Sequence, residues 1–314
     1  MTVGTRNRLV FLSVLAVVFL AAYAFRFPSR EPLAALPPAM KQVEASGTIV
    51  AVREGRRLES VVLDAGTLGE VRLAVSFPEP MPEGPLPVLI VLGGLPTGAE
   101  NLSLIPEAGN NVLVGYDWPI SVAPPKASTF LLQAPGLYRD VMRMPGQGAT
   151  AIVWAAGQPW ADGRRVSLLG FSMGALAAPA VQRLAEQAGQ PVGWTILAYG
   201  GAPLSALLAS NPNIQPEWLR HVLGGLAGFL LGPLEPEAHL PYVRGNFLVL
   251  EGTDDELITA EARARLRDAV PEPKDIVTFP GDHMSGDVAQ RAHLQRIMAA
   301  SRDWLIRQGA INAP

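Results

Sequence analysis

At residues 170–174 the chain reads Gly-Phe-Ser-Met-Gly, a serine with a glycine two residues to either side. Small residues at this spacing permit a cramped strand-to-helix turn that pushes the Ser172 hydroxyl out of the backbone, where it can act as a nucleophile. A hydroxyl attacks poorly at neutral pH, so a base must stand beside it. The chain has no cysteine, which excludes thiolate catalysis, and four histidines, His221, His239, His283 and His293, as candidate bases. His283 lies in FPGDHMSGD, directly after an expected strand. His293 falls inside an expected helix and reads as a solvated helix-face residue, while His221 and His239 fall in a stretch with no clear strand. An imidazole in turn needs a carboxylate to fix its tautomer and stabilise its cation. Asp254 and Asp255, in LVLEGTDDELIT, both follow a strand expected at 245–250, and the residues alone leave both open as the acid. The other of the two reads as a cap for the helix that starts near Thr259. Asp282 is disfavoured, because neighbours along an extended loop point apart.

These residues need a scaffold that holds them together. LPVLIVLGG (86–94), the run RRVSLLG before the serine, GWTILAYGG (193–201) and GNFLVLEG (245–252) are short, largely apolar stretches that end in glycine, as strands buried on both faces should be. NNVLVGYDWP (110–119) and KDIVTFPG (274–281) continue the series, and helices are expected at about 136–157, after Ser172, at 259–269 and at 287–308. Strands alternating with helices imply an α/β protein with a mostly parallel sheet covered on both faces. In such sheets ligands gather beyond the carboxyl ends of the strands, where Ser172, the Asp254–Asp255 pair and His283 all fall. Residues 46–77 read as two or three antiparallel strands that precede this part. Residues 203–244 break the alternation and read as a cap insertion; within them Gly224, Gly228 and Gly232 recur at the spacing of close helix packing, or of a lipid-facing or acyl-binding surface. Tyr116-Asp117-Trp118-Pro119 lines either the substrate cleft or the core.

Over residues 46 to 308 the chain resembles the α/β-hydrolase superfamily, in its serine esterase and dienelactone-hydrolase-like part. The resemblance rests on the G-x-S-x-G match and on the chain order serine, acid, histidine. It implies that Ser172 is the nucleophile and His283 the base. The family loop G-x-x-D-x-x-[VI] matches Gly252, Asp255 and Ile258, which favours Asp255 as the acid over Asp254. The resemblance further implies an oxyanion hole from the backbone N–H groups of Met173 and of a residue in the Gly93-Gly94-Leu95-Pro96 loop, with Leu95 preferred and Gly94 next; Pro96 has no N–H to give. Many relatives carry a histidine before a glycine in that loop, and this chain does not. The activity implied is hydrolysis of carboxylic esters through an acyl-enzyme. An acyltransferase or peptidase uses the same triad, and a catalytically inactive binding module on the same fold is the alternative from another class.

Composition limits the partners. The chain has 314 residues, 49% hydrophobic and 17% charged, with a net charge of −3 and no basic stripe, which argues against a nucleic-acid partner. No P-loop, no dinucleotide fingerprint after a strand and no cluster of metal ligands is present, so no cofactor is implied. Arg6 and Arg8 precede an apolar run from Leu9 to Phe25, with Ala22-Tyr23-Ala24 in the form of a cleavage site. Residues 1–25 therefore read as a signal-anchor or a cleaved signal peptide, residues 26–45 as a proline-rich linker, and residues 46–314 as the hydrolase domain. That arrangement puts a membrane contact at the N-terminus and the domain outside the cytosol, periplasmic in a bacterium, acting on a small-molecule or lipid-like ester.

Overall fold

The computed structural model describes residues 48–53, 55–94, 98–105, 107–120, 130–210, 217–285 and 290–313. The expected signal or anchor segment, the linker and Leu95 lie outside the described residues. Among the described residues no helix is long and apolar enough to cross a membrane.

Nine strands form one sheet in the order β1-β2-β3-β5-β4-β6-β7-β8-β9. The first three, β1 (Thr48–Arg53), β2 (Arg56–Asp64) and β3 (Glu70–Pro78), pair antiparallel, and β3 joins β5 (Val112–Tyr116) antiparallel as well. From β5 the sheet is parallel through β4 (Leu86–Leu92), β6 (Ala161–Phe171), β7 (Trp194–Ala198), β8 (Asn246–Gly252) and β9 (Lys274–Phe279). Every residue of β4 is buried, and its side chains alternate between the two faces. Leu86, Val88, Ile90 and Leu92 join one core cluster, with α2 (Phe130–Ala156) and α3 (Met173–Gln187); Leu89 and Val91 join another. That second cluster takes in Leu102 of a short helix, α1 (Ala99–Ser103), and Leu294, Ile297, Met298, Trp304 and Leu305 from the C-terminal helix. Parallel strands need crossover connections, and these helices supply them while covering both faces.

Between β7 and β8 lie α4 (Leu204–Ser210), α5 (Glu217–Leu231) and α6 (Pro236–His239); α7 (Ala260–Ala269) follows β8 and α8 (Arg291–Arg307) follows β9. The glycine spacing in α5 has a local cause. A Cβ on Gly224 would stand 2.7 Å from the Ser205 carbonyl oxygen, and one on Gly228 2.9 Å from Ser205 Cβ, so these glycines let α5 lie against α4. Leu204, Leu207, Leu231 and Leu234 then seat this part on Tyr138, Met142 and Leu176 of the main body.

Sequence and structure differ at one helix start in particular. The helix expected from about 136 begins at Phe130 and carries Pro135 and Pro145 inside it. Tertiary packing of its apolar residues outweighs the usual proline penalty of about 3 kcal/mol per interior position.

Candidate active site

Ser172 stands between β6 and α3 with φ 52° and ψ −114°, a region that non-glycine residues seldom occupy. Two backbone bonds hold it there: Ser172 N–H donates to the Ala198 carbonyl at 2.8 Å, and the Ser172 carbonyl accepts from Ala175 N–H at 2.9 Å. The flanking glycines are obligatory for steric reasons. A Cβ on Gly174 would overlap the Leu92 carbonyl oxygen at the end of β4, and one on Gly170 would stand 2.7 Å from the Gly174 carbonyl oxygen. The turn therefore presses the first turn of α3 against the end of β4 and leaves the serine hydroxyl pointing outward.

The structure brings Ser172, His283 and Asp255 together. Ser172 Oγ lies 2.9 Å from His283 Nε2, and His283 Nδ1 lies 2.8 Å from Asp255 Oδ2. With a carboxylate facing it, Nδ1 carries the hydrogen, which leaves a lone pair on Nε2 to accept the serine proton. The other carboxylate oxygen of Asp255, Oδ1, accepts from the Leu257 and Ile258 amides at 2.9 and 2.8 Å. The Asp255 side chain is fully enclosed and that of His283 is 13% exposed, so solvent screens their bond little.

Asp254, the other candidate acid, turns away: its Oδ2 accepts from Thr253 Oγ1 at 2.7 Å, at the surface. Neither aspartate caps the following helix, contrary to expectation. Thr259 does so, its Oγ1 accepting from Ala262 N–H at 3.2 Å. The Asp282 carboxylate is engaged by backbone instead: its Oδ1 accepts from the Glu256 amide at 3.0 Å and the His283 amide at 2.6 Å, tying the Asp255 loop to the His283 loop. Those two amides hold its carboxyl below the usual carboxylate value. Backbone bonds from Thr253 N–H to Phe279 and from Asp254 N–H to Gly281 add to the same stitching. Arg263 reaches back from α7 to donate to the Ile258 carbonyl at 2.5 Å and the Thr253 carbonyl at 3.1 Å. The separation of acid and base is thus set by backbone bonds between neighbouring loops.

Met173, expected from sequence as an oxyanion donor, is the first residue of α3, and an amide in a helix's first turn has no acceptor within the helix. The positive end of the helix lies at the same point. On the other side Gly94 comes within 3.3 Å of Ser172 Cβ, measured from the Cβ it lacks. Trp118 Nε1–H donates to the Gly94 carbonyl at 3.2 Å, which answers the question of that aromatic: it is a buried anchor for the loop after β4.

The remaining histidines part company. His221 is exposed on α5, and His239 is buried, donating from Nε2 to the Pro233 carbonyl at 2.8 Å. His293 is no solvated helix-face residue: it is half-buried and its Nε2 lies 2.7 Å from the hydroxyl of Tyr199. No motif marks Tyr199 in the sequence, although its place directly after β7, at the carboxyl edge of the sheet, is a usable signal. Among the described residues no group of three or more histidine and acidic side chains is arranged to hold a metal ion.

No family model matches the chain, and comparison with curated proteins gives no match. Solved structures do match. Est1E from Butyrivibrio proteoclasticus superposes with a TM-score of 0.56 at 14% identity, over 80% of this chain and 99% of that one. An acetyl xylan esterase from Paenibacillus sp. R4 gives 0.55 at 14% identity, over 90% of this chain and 93% of that one. A dienelactone hydrolase-like promiscuous phosphotriesterase from metagenomic libraries gives 0.52 at 17% identity, over 80% and 99%. The chain has the α/β-hydrolase fold.

Proposed function

We propose that this protein is a carboxylic ester hydrolase that works through Ser172, His283 and Asp255. One observation carries the reading: an outward serine on a strained turn, in hydrogen-bond contact with an imidazole whose far nitrogen meets an enclosed carboxylate. In this mechanism His283 Nε2 takes the Ser172 proton as Oγ attacks the ester carbonyl carbon. The oxygen of the tetrahedral intermediate is held by the Met173 amide and by an amide of the loop after Gly93, which we assign to Leu95. The intermediate collapses, the C–O bond to the alcohol breaks, and His283 gives the alcohol its proton. Water then attacks the acyl-enzyme, passes a proton to His283, and the acid leaves as Ser172 recovers its hydrogen. Asp255 holds the imidazole in the useful tautomer and balances its charge in both halves.

Gly94, Met173, Leu257 and Met284 beside the three groups carry no charge, and the charged neighbours along the chain, Asp254, Glu256 and Asp282, are all acidic. Arg263, in the acid loop's own helix, is committed to backbone carbonyls. An uncharged acyl ester suits such surroundings better than an anionic one. Two of the three solved structures, the acetyl xylan esterase and the dienelactone hydrolase-like phosphotriesterase, carry ester-cleaving names, in keeping with this choice. We also assign α4 and α5 the role of a cap over the carboxyl edge, and residues 1–25 that of an export or anchoring signal. Full-length protein tested on p-nitrophenyl esters of increasing chain length, with Ser172→Ala as the blank, tests the activity; no hydrolysis above the blank at any length refutes it. Fusion of residues 1–45 to an alkaline phosphatase reporter tests export, and reporter retained in the cytosol refutes it.

A further inference from the structure

Against the imidazole of His283 stands a second set of groups that the proposed mechanism does not use. Tyr199 is 1% exposed and has φ 57°, a left-handed backbone that a bulky side chain adopts only when its surroundings force it. The surroundings do so from two sides. Its amide donates to the Leu250 carbonyl at 2.8 Å, and the residue before it, Ala198, supplies the carbonyl that holds the Ser172 amide. Space for the ring is made by Gly252, where a Cβ would stand 2.9 Å from Tyr199 Cε1.

The ring meets His283 at right angles, with centroids 5.6 Å apart. At its far end the hydroxyl meets His293 Nε2 at 2.7 Å. Arg296 Nη2 lies 3.4 Å from His293 Nδ1. A guanidinium can only donate, so the lone pair of His293 sits on Nδ1 and its hydrogen on Nε2, which donates to the tyrosine oxygen. His293 in turn packs edge-to-face on Phe279 and on Tyr199 itself.

We infer that Tyr199, anchored at its hydroxyl by His293, is a positioning residue that holds the His283 imidazole square to both Ser172 and Asp255. The catalytic ring needs such a wall. Its two nitrogens are fixed by single hydrogen bonds, at 2.9 and 2.8 Å, about which the ring can still rock. In the second half of the reaction Nε2 must serve water in place of the serine, so the ring has to keep its direction when the Ser172 bond is absent. An aromatic ring at right angles limits that motion without competing for either nitrogen. Burial, with Asp255 near, pushes the Tyr199 hydroxyl up, and burial followed by the Arg296 charge pushes His293 down, so both shifts favour the neutral forms that this hydrogen bond needs.

This inference rests on the proposed triad, and the test separates the two. Active sites in full-length wild type, Tyr199→Phe, His293→Leu, His293→Gln and the Phe–Leu double variant are titrated with a fluorophosphonate, and kcat per titrated site and KM are measured on p-nitrophenyl acetate. Tyr199→Phe and His293→Leu are each expected to lose about 10- to 100-fold in kcat per site, the range that small misplacement of a reacting group produces, with KM within about threefold. The double variant should lose no more than either single one, since both cut the same link. His293→Gln, which can still donate to the tyrosine oxygen, should recover most of the rate. Single variants within twofold of wild type per site, additive losses, or a glutamine variant as slow as the leucine one would overturn the inference. A merely structural role lowers the number of titrated sites and leaves their kcat intact. If wild type itself takes no label, the triad reading fails and takes this one with it.

Discussion

Replacing Asp255 by asparagine keeps size and shape and changes only which atoms can donate, so its effect follows from the hydrogen bonds around it. Oδ1 of Asp255 accepts from the Leu257 and Ile258 amides, and Oδ2 faces His283 Nδ1. An asparagine NH2 turned toward Leu257 and Ile258 would oppose two donors with a third, in a site its side chain fills without solvent. That arrangement leaves buried donors unmade at about 1–3 kcal/mol each. The NH2 must therefore face His283, where it donates to Nδ1 and forces the ring hydrogen onto Nε2. The imidazole then presents an N–H to Ser172 where a lone pair is needed. Loss of the correct tautomer in a triad costs about 10⁴-fold in kcat, or about 5.5 kcal/mol of transition-state stabilisation at 1.36 kcal/mol per decade. Stability should hardly change, because both backbone amides keep their acceptor. The assay is kcat on p-nitrophenyl acetate for full-length Asp255→Asn, alongside the melting temperature and the imidazole ¹⁵N shifts, which report the tautomer directly. A loss of less than tenfold with an intact fold, or a His283 that keeps its hydrogen on Nδ1, refutes the reasoning.

Three other outcomes follow from the geometry. Gly174→Ala gains up to about 1 kcal/mol of helix propensity, but its Cβ overlaps the Leu92 carbonyl oxygen; since backbone must move, overpacking of about 1–3 kcal/mol or more wins, and denaturant unfolding should show net destabilisation with a slowed fluorophosphonate reaction. The Asp282 carboxyl sits below its ordinary value through the Glu256 and His283 amides, so the stability it gives is present above the unfolded carboxylate value of about 3.9 and is lost as pH falls through the lower folded value; melting temperatures of wild type and Asp282→Asn should differ at pH 6 and converge as pH falls below about 4, and a constant difference contradicts this. Gly224→Val places methyl groups where Ser205 and Ala209 already stand, so it should part α5 from α4 and change the preferred ester chain length while acetate hydrolysis stays within about threefold; an unchanged chain-length profile counts against α4 and α5 as a cap.

The sequence makes some of these groups visible and hides others, for reasons of distance along the chain. Ser172 is legible because its turn is local: the buried strand before it, the helix after it and both glycines lie within one short stretch. The parallel sheet is legible for a related reason, since strands such as Leu86–Leu92 are apolar at every position. The choice between Asp254 and Asp255 is less so. Both occupy one turn, and what turns Asp255 inward is a pair of amides two and three residues on, together with the histidine loop 28 residues away. Tyr199 and His293 lie 94 residues apart and join only once α8 is packed on the sheet. No periodicity or composition signals such a pair, and a lone histidine among the polar residues of a helix looks solvated. Trp118 and Gly94 make the same point, an indole and a carbonyl joined by the strand order β5-β4.

The claim on which the rest depends is that Ser172 is an activated nucleophile, and covalent labelling measures it most directly. Full-length protein treated with a fluorophosphonate should gain the mass of one phosphonyl group, located by peptide mapping on Ser172, while Ser172→Ala gains none. No label on wild type, or label carried by another residue and retained in Ser172→Ala, would contradict it.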